Sequence, residues 1–508
     1  MSSRRRNMWW GVWLGVVLVV ALGTPALANP PEYELWRQAV WHRAWRAHVV
    51  DADTGAPLPG AVVETPYGAR RADARGSVSL LGVYGVPVRA SAPGYEPADV
   101  PLEADGQVIR LRSSRPRVHV VDARTGTPVA GAVVAWEGQW AVTDERGVAF
   151  LPARPLGPLT VKRAAYRRAV ASTPGRATLV RLEPIHVRGF YLAFGFLNRP
   201  RAVVEEYLDR AAQAGLNAVV IDAKGDRGYL AWESAHPDAR LNGVNGRAAI
   251  SAAEFLEMAR RRGFYVIARL VVFKDNPLAE AQPHRAVRRA DGTIWRDREG
   301  LGWADPRLPE NWEYNIALAR ELAEMGFDEV NLDYIRFPSD GNLRAIAWGE
   351  ELTAEARTET ISRFLQAAQQ ALRPTPALMS GDVFGLTPAV YHSDMNIGQT
   401  VETMAPYMDI FCPMSYPATY IPGNMGLTDP VRQPYETVYR ATAEAVRRSA
   451  SPVRPWLQAY SWAGVVYDAD ELYAQIRAAE EAGAIGWLFW NAGGSYDLLF
   501  EALGAQQP

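Results

Sequence analysis

The segment DEVNLDYIRFPSDG at residues 328–341 begins as an apolar run and then breaks its own pattern. Asp333 stands where the run would continue, and Arg336 follows three residues later. An ionised carboxylate at the end of a buried strand is costly unless it is paired or used in chemistry. Asp382 ends a similar run in SGDVFG, between glycines that would permit close approach of a ligand. Asp222 ends NAVVID, with Lys224 and Asp226 just beyond it. Comparable positions carry Arg269 in IARLVVF, Tyr416 in PMSYP, Gln458, Tyr460 and Trp462 in WLQAYSW, and Trp490 and Asn491 in LFWN. Carboxylates among aromatic rings suit glycoside cleavage. One carboxylic acid protonates the leaving oxygen, and a second carboxylate attacks the anomeric carbon or activates water. Rings such as Tyr416, Trp462 and Trp490 would platform sugar faces, or simply pack at a rim.

Other chemistries find less support. Histidines do not cluster, and the single cysteine, Cys412, lies in the apolar run MDIFCPM, where it reads as a small buried hydrophobe. No zinc centre, thiolate site, disulfide or other cofactor is expected. There is no G-x-S-x-G nucleophile elbow.

Eight short β-branched or aromatic runs must position these residues: 187–194, 217–222, 264–273, 328–333, 376–382, 407–415, 454–460 and 485–490. Helical patterns separate them at 200–214, 252–262, 310–325, 355–372, near 398–405, 434–449 and 470–482, and one closes the chain at 495–503. Strand and helix in strict alternation predict a (β/α)8 TIM barrel over 187–505. A doubly wound sheet is disfavoured, because no Gly-rich phosphate loop follows the first run. In such a barrel the active site lies at the strand C-termini, where every residue named above falls. Strand seven ends WLQAY and offers no carboxylate. The expected pair is therefore Asp333, as nucleophile or electrostatic stabiliser, with Asp382 as a general acid/base of raised pKa. Asp222 with Lys224 is the competing pair, for ligand contact or as a mutual ion pair. Arg336 is the expected charge partner of Asp333, and Arg269 could hold another barrel carboxylate. Adjacent strands lie about 4.8 Å apart. Asp333 with Asp382 would then approach the ~5.5 Å spacing of a retaining enzyme, and Asp333 with Asp222 the ~6.5–9.5 Å spacing of an inverting one. The first is favoured.

Residues 49–95 and 120–166 align without a gap at an offset of 71, with Asp51 matching Asp122 and Gly76 matching Gly147. Such self-similarity marks a duplicated unit. Val-rich runs between Thr-Gly, Pro-x-Gly and Arg-Gly turns predict two small antiparallel sandwiches, at 46–113 and 117–184. The V-x-D-x-x-T-G-x-P-(L/V)-x-G-A-V-V opening resembles the carboxypeptidase regulatory-like, transthyretin-type sandwich, which implies a spacer or adhesion module. Asp51 and Asp122 precede turns, where aspartate bonds local N–H groups.

The barrel region carries a second resemblance. FDEVNLDYIRFPSDG, with DPRLPENWEYNIALARELAEMG before it and DIFCPMSYPATYIPG, RPWLQAY and IGWLFWN after it, is similar to the glycoside hydrolase family of the DUF4015 type. The likeness implies a TIM barrel acting on a carbohydrate, a polysaccharide or oligosaccharide. It does not supply the substrate.

Arg4, Arg5 and Arg6 precede an apolar stretch from Met8 to Leu22, and Ala26-Leu27-Ala28 follows. This reads as a signal peptide over 1–28, cut after Ala28, with a linker at 29–45; an uncleaved N-terminal anchor is the alternative. The rest of the chain is expected to be exported: secreted, periplasmic or at the cell surface. A composition of 48% hydrophobic and 22% charged residues is that of globular protein. A formal net charge of −2 makes no electrostatic case for nucleic acid. The rival to an exported glycoside hydrolase is a non-catalytic carbohydrate-binding or envelope-organising protein with a degenerate barrel.

Overall fold

The computed structural model describes residues 44–505, apart from 82–85, 173, 350 and 351. The expected leader and nearly all of the linker lie outside the described residues. The chain divides into two compact units, residues 1–114 and 115–508.

In the first unit, one sheet holds Ser77–Leu80, Trp45–Asp51 and Gln107–Leu111, in that spatial order. The other holds Gly68–Arg71, Val62–Thr65, Pro87–Ser91 and Ala98–Pro101. The second unit opens with the same arrangement 71 residues on: Val148–Phe150, Arg117–Asp122 and Ala177–Leu182, then Gln139–Val142, Val133–Trp136, Leu159–Lys162 and Ala169–Ala171. The two repeats are thus two small all-β sandwiches of one topology. Their aspartates do local work. Asp51 Oδ1 accepts from the backbone N–H groups of Asp53 and Thr54, both at 2.9 Å, and Asp122 Oδ1 from those of Arg124 and Thr125, both at 2.8 Å.

The remainder of the second unit is a TIM barrel. Its strands are β1 (Val187–Leu192), β2 (Ala218–Lys224), β3 (Tyr265–Val271), β4 (Glu329–Asp333), β5 (Leu378–Val383), β6 (Ile410–Pro413), β7 (Trp456–Gln458) and β8 (Gly486–Trp490). All neighbours pair in parallel, in the order β6-β5-β4-β3-β2-β1-β8-β7. Parallel bridges at Phe411–Val453 and Met414–Trp456 close β6 onto β7. Each strand is followed by a helix: α1 (Arg201–Gln213), α2 (Ala252–Arg261), α3 (Pro309–Met325), α4 (Ala354–Leu372), α5 (Val401–Met404), α6 (Pro434–Arg448), α7 (Ala469–Glu481) and α8 (Asp497–Ala505). A Ser251–Glu254 capping box starts α2, satisfying the first free N–H groups of its opening turn.

Strand alternation sorts the side chains into two cores. Val219, Ile221, Leu270, Val330 and Leu332 face outward, into the layer under the helices. Val220, Ile267, Leu378, Ile410, Cys412, Trp456 and Leu488 face inward and fill the lumen. Deep in that lumen, Glu329 and Arg454, both fully buried, form a two-pronged ion pair, and Tyr265 OH donates to Glu329 Oε2 at 3.1 Å.

The second sandwich docks on the N-terminal face of the barrel. Lys162, at 1% exposure, donates to the carbonyls of Leu372 (2.8 Å) and Ala377 (2.5 Å). Arg168 donates to those of Phe327 and Gly326, both at 2.8 Å, and Arg167 to that of Gly263 at 2.7 Å. Apart from that of Ala377, which precedes β5, these carbonyls lie at or just past the C-terminal ends of α2, α3 and α4, where helix carbonyls lack intrahelical donors and the dipole favours cations.

Candidate active site

Strand register brings the expected carboxylates to one end of the barrel. Asp222 pairs with Arg269, Val271 with Asp333, and Leu332 with Gly381, so Asp333 and Asp382 follow side by side on adjacent strands. A bulge after Asp222 skips Ala223 and sets Lys224 opposite Leu270. Simple alternation would have turned Lys224 to the lumen beside Asp222; the bulge turns it outward instead. Its ammonium lies 2.6 Å from Asp275 and bonds Asn315 Oδ1 at 3.0 Å, away from Asp222. The expected Asp222–Lys224 pair does not form.

Arg269 organises the carboxylates. Nε and Nη2 both donate to Asp333 Oδ2, at 3.0 and 2.5 Å. Nη1 reaches Asp222 Oδ1 at 2.7 Å, and Nη2 also reaches Asp226 Oδ1 at 2.8 Å. Burial works against its charge, but the carboxylates of Asp226, Asp222 and Asp333 raise its pKa well above the usual value. The charge partner of Asp333 is thus Arg269, and not the expected Arg336. Arg336 Nη1 bonds Phe337 O at 3.3 Å and Ser339 Oγ at 2.6 Å. Between the end of β4 and Arg336 the chain turns through Tyr334 at positive φ, while Arg269 needs only to cross to the neighbouring strand. The second oxygen of Asp333 accepts from the Tyr334 N–H at 2.6 Å, with Tyr334 held at φ 52, a conformation few side chains adopt freely.

Asp382 has a different environment. Its Oδ1 accepts from Asn331 Nδ2 at 2.8 Å and Trp456 Nε1 at 2.7 Å. Burial, and then the charge of Asp333, raise its pKa well above the usual carboxylate range, and they outweigh the two donors. The packing of the protein itself requires the flanking glycines. A Cβ on Gly381 would meet the Met408 side chain at 2.4 Å, and one on Gly385 would meet Met414 O at 2.1 Å. Asp222 is buried too. Tyr191 OH donates to its Oδ2 at 2.6 Å, and burial, against the Arg269 charge, pushes its pKa up to about 6.

A pocket of about 230 Å³ opens over this group. Asp226, Arg269, Asp333 and Asp382 line its charged side, with Arg336 beside them. Tyr334, Phe384, Met414, Tyr416 and Trp490 supply its apolar wall. One face of Trp490 is already covered by Tyr191, with ring centroids 3.9 Å apart. Asp222, Lys224, Gln458, Tyr460, Trp462 and Asn491 do not line this pocket. Both ends of the buried Gln458 amide are used, Oε1 by Ala418 N–H and Nε2 by Tyr460 O. Asn491 ties Ala459 O to Ser495 O. Tyr460 touches Tyr416 edge-on, and Trp462 is 54% exposed beyond it. These residues shape the rim from outside.

Three participants went unread in the sequence, and a fourth, Asp226, was noted beyond Asp222 but given no role. Tyr191 stands one residue and Asn331 two residues inside a strand end, both on the lumen face, and a polar residue there was the available signal. Trp456 was hidden as an ordinary core aromatic. Asp226, half-buried at the rim, lies in a loop where aspartate is common. Burial raises its pKa, but the Arg269 guanidinium prevails and holds it below the usual range.

Inward carboxylates at the C-terminal strand ends of an eight-stranded β/α barrel, under an aromatic-walled pocket, are the arrangement of barrel enzymes that work on sugars. The chain belongs to the DUF4015 family, described as "Putative glycosyl hydrolase domain", whose sequence profile matches residues 189–496. No curated protein matches it in sequence. Among solved structures, a hypothetical protein from Ruminiclostridium thermocellum is 34% identical, covering 38% of this chain and 97% of its own, with a TM-score of 0.34. The glycoside hydrolase domain of PgaB (BpsB) from Bordetella bronchiseptica is 15% identical, covering 63% and 98%, with a TM-score of 0.48. The α-galactosidase TtGalA from Thermus thermophilus is 15% identical, covering 84% and 89%, with a TM-score of 0.40.

Proposed function

We propose that the protein is an exported glycoside hydrolase that cleaves a cell-envelope or extracellular polysaccharide by a two-carboxylate, retaining mechanism. The two sandwiches act as spacers of the carboxypeptidase regulatory-like type. The observation that carries this reading is the unequal pair on β4 and β5. Asp333 has an arginine counter-charge, while Asp382 is buried beside it with a strongly raised pKa. A buried carboxyl of raised pKa beside a second carboxylate with a cationic partner is what acid and nucleophile roles require.

Asp382 enters the reaction protonated and passes its proton to the glycosidic oxygen as that C–O bond breaks. Asp333 attacks the anomeric carbon and forms a glycosyl ester. Water, deprotonated by Asp382, then attacks the same carbon and displaces Asp333, so the product keeps its starting configuration. Arg269 and the Tyr334 N–H position Asp333; Asn331 and Trp456 position Asp382. A spacing of about 4.8 Å between neighbouring strands suits the direct-attack geometry. Asp222 sits three strands from Asp382 and does not line the pocket, and it serves as support through Tyr191 and Arg269.

The experiment is a screen of purified envelope and extracellular polysaccharides, followed by proton NMR of the first product. Retained configuration is expected, and an inverted anomer would rule out Asp333 as nucleophile. Export is checked by fractionating expressing cells and sequencing the mature N-terminus, expected to begin at Asn29. Recovery of the full chain from the cytoplasm contradicts it.

A further inference from the structure

Resting on that reading of the pocket, we propose that it contains a subsite for a carboxylate-bearing sugar, a uronic acid residue, anchored by Arg336. Arg336 lines the pocket and is only 8% exposed. The other pocket cation, Arg269, is saturated by three carboxylates. Nearby Lys274 is held by Asp297 at 3.5 Å and Glu299 at 3.2 Å. Arg336 differs from both. Its hydrogen bonds leave from Nη1 alone, to the uncharged oxygens of Phe337 and Ser339. Among the described residues no carboxylate forms an ion pair with it, and burial lowers its pKa.

Asp333, Asp340 and Asp297 act on it only from beyond ion-pair distance, and a desolvated cation without a direct partner is costly. What surrounds this one is aromatic. The guanidinium carbon lies 4.8 Å from the Tyr334 ring centroid, 5.2 Å from Trp303 and 5.9 Å from Phe384. Such π faces attract the cation and supply no net negative charge. With the hydrogen bonds leaving from Nη1, the Nε and Nη2 donors are left for a ligand. A planar carboxylate matches that edge with two parallel hydrogen bonds, as a hydroxyl cannot. Arg336 follows Asp333 by three residues, through the left-handed turn at Tyr334, so the subsite and the proposed nucleophile belong to one rigid segment.

The test measures binding, so that it does not depend on turnover. The full chain is titrated by calorimetry with tetrasaccharides containing glucuronate or galacturonate, and with the same tetrasaccharides after carboxyl reduction. Reduction is expected to weaken binding by about tenfold to a hundredfold, the worth of hydrogen bonds to a charged group. Arg336→Gln is expected to erase the difference. Arg336→Lys, which keeps the charge but loses the fork, is expected to retain part of it. Melting curves show which variants fold. If Arg336→Gln does not, the acidic-against-neutral comparison on the parent and on Arg336→Lys still decides. Equal binding of acidic and neutral sugars, or no binding of either uronate, overturns the subsite. Hydrolysis of a wholly neutral glycan, as fast in Arg336→Gln as in the parent, overturns it while leaving the hydrolase assignment standing.

Discussion

At the scale of residues, one arginine separates the roles of three aspartates. Arg269 donates twice to Asp333 and makes no hydrogen bond to Asp382, so on Asp382 burial outweighs the groups that favour its charge. A general acid must be protonated, so turnover is expected to fall on the alkaline side as Asp382 loses its proton. Asp382→Asn is expected to lower kcat by about 10²–10⁴ and to remove that alkaline limb, which a pH–rate profile reads directly. Asp222 permits a check on stability. Its pKa is raised to about 6, so the folded state holds the proton more tightly than the unfolded chain. The resulting stabilisation is complete below an ordinary aspartate pKa near 4 and is lost as pH rises through 6. Relative to Asp222→Asn, the parent should therefore lose on the order of 3 kcal/mol between about pH 4 and pH 6. Equal slopes for the two proteins in denaturant titrations across that range contradict the assignment. Asp333 was legible because a carboxylate interrupted an apolar run. Its partner was not, because a strand's alternation names the face a side chain takes but not the neighbour it meets across the sheet. Proximity in sequence pointed to Arg336; proximity in space chose Arg269.

At the scale of elements, alternation fixed most positions and failed where the strand is irregular. All eight strands and their helices were legible from period and turn residues. The bulge after Asp222 was not, since nothing in VVIDAK distinguishes a bulged strand from a straight one. Its consequence is that Lys224 supports α3 through Asn315 and Asp275 and leaves the lumen to the acids. The polar layer deep in the lumen is a further element that hydrophobic pattern could not reveal. Removing one partner of a buried ion pair leaves the other charge uncompensated. Glu329→Gln is expected to destabilise the barrel by about 3–5 kcal/mol, while replacing both Glu329 and Arg454 by apolar residues of similar volume costs less. Chemical denaturation of the single and double variants measures the difference, and an additive double variant refutes the coupling.

At the scale of the whole molecule, the second sandwich and the barrel are joined by cations set onto helix ends. A buried lysine is illegible in sequence, because Lys162 in LTVKR reads as an ordinary exposed strand residue. Burial, only partly countered by Asp409, lowers its pKa to about 8. The unfolded chain therefore binds this proton more tightly, and stability is expected to rise as pH climbs from about 8 to about 10.5. Lys162→Met should abolish that rise in thermal melts, and a rise that persists in the variant argues against the docking role. Among the described residues no helix is long and apolar enough to cross a membrane. Within the second unit, the pocket lies on the face of the barrel opposite its sandwich.

The central claim, that Asp333 and Asp382 together cleave a glycosidic bond, is tested most directly by reducing-end release. The parent, Asp333→Asn and Asp382→Asn are compared on whichever envelope or extracellular polysaccharide the parent degrades, with each variant's fold checked by its melting curve. The account predicts release by the parent and a loss of at least about 10²-fold in each folded variant. Undiminished release by either folded variant would contradict it.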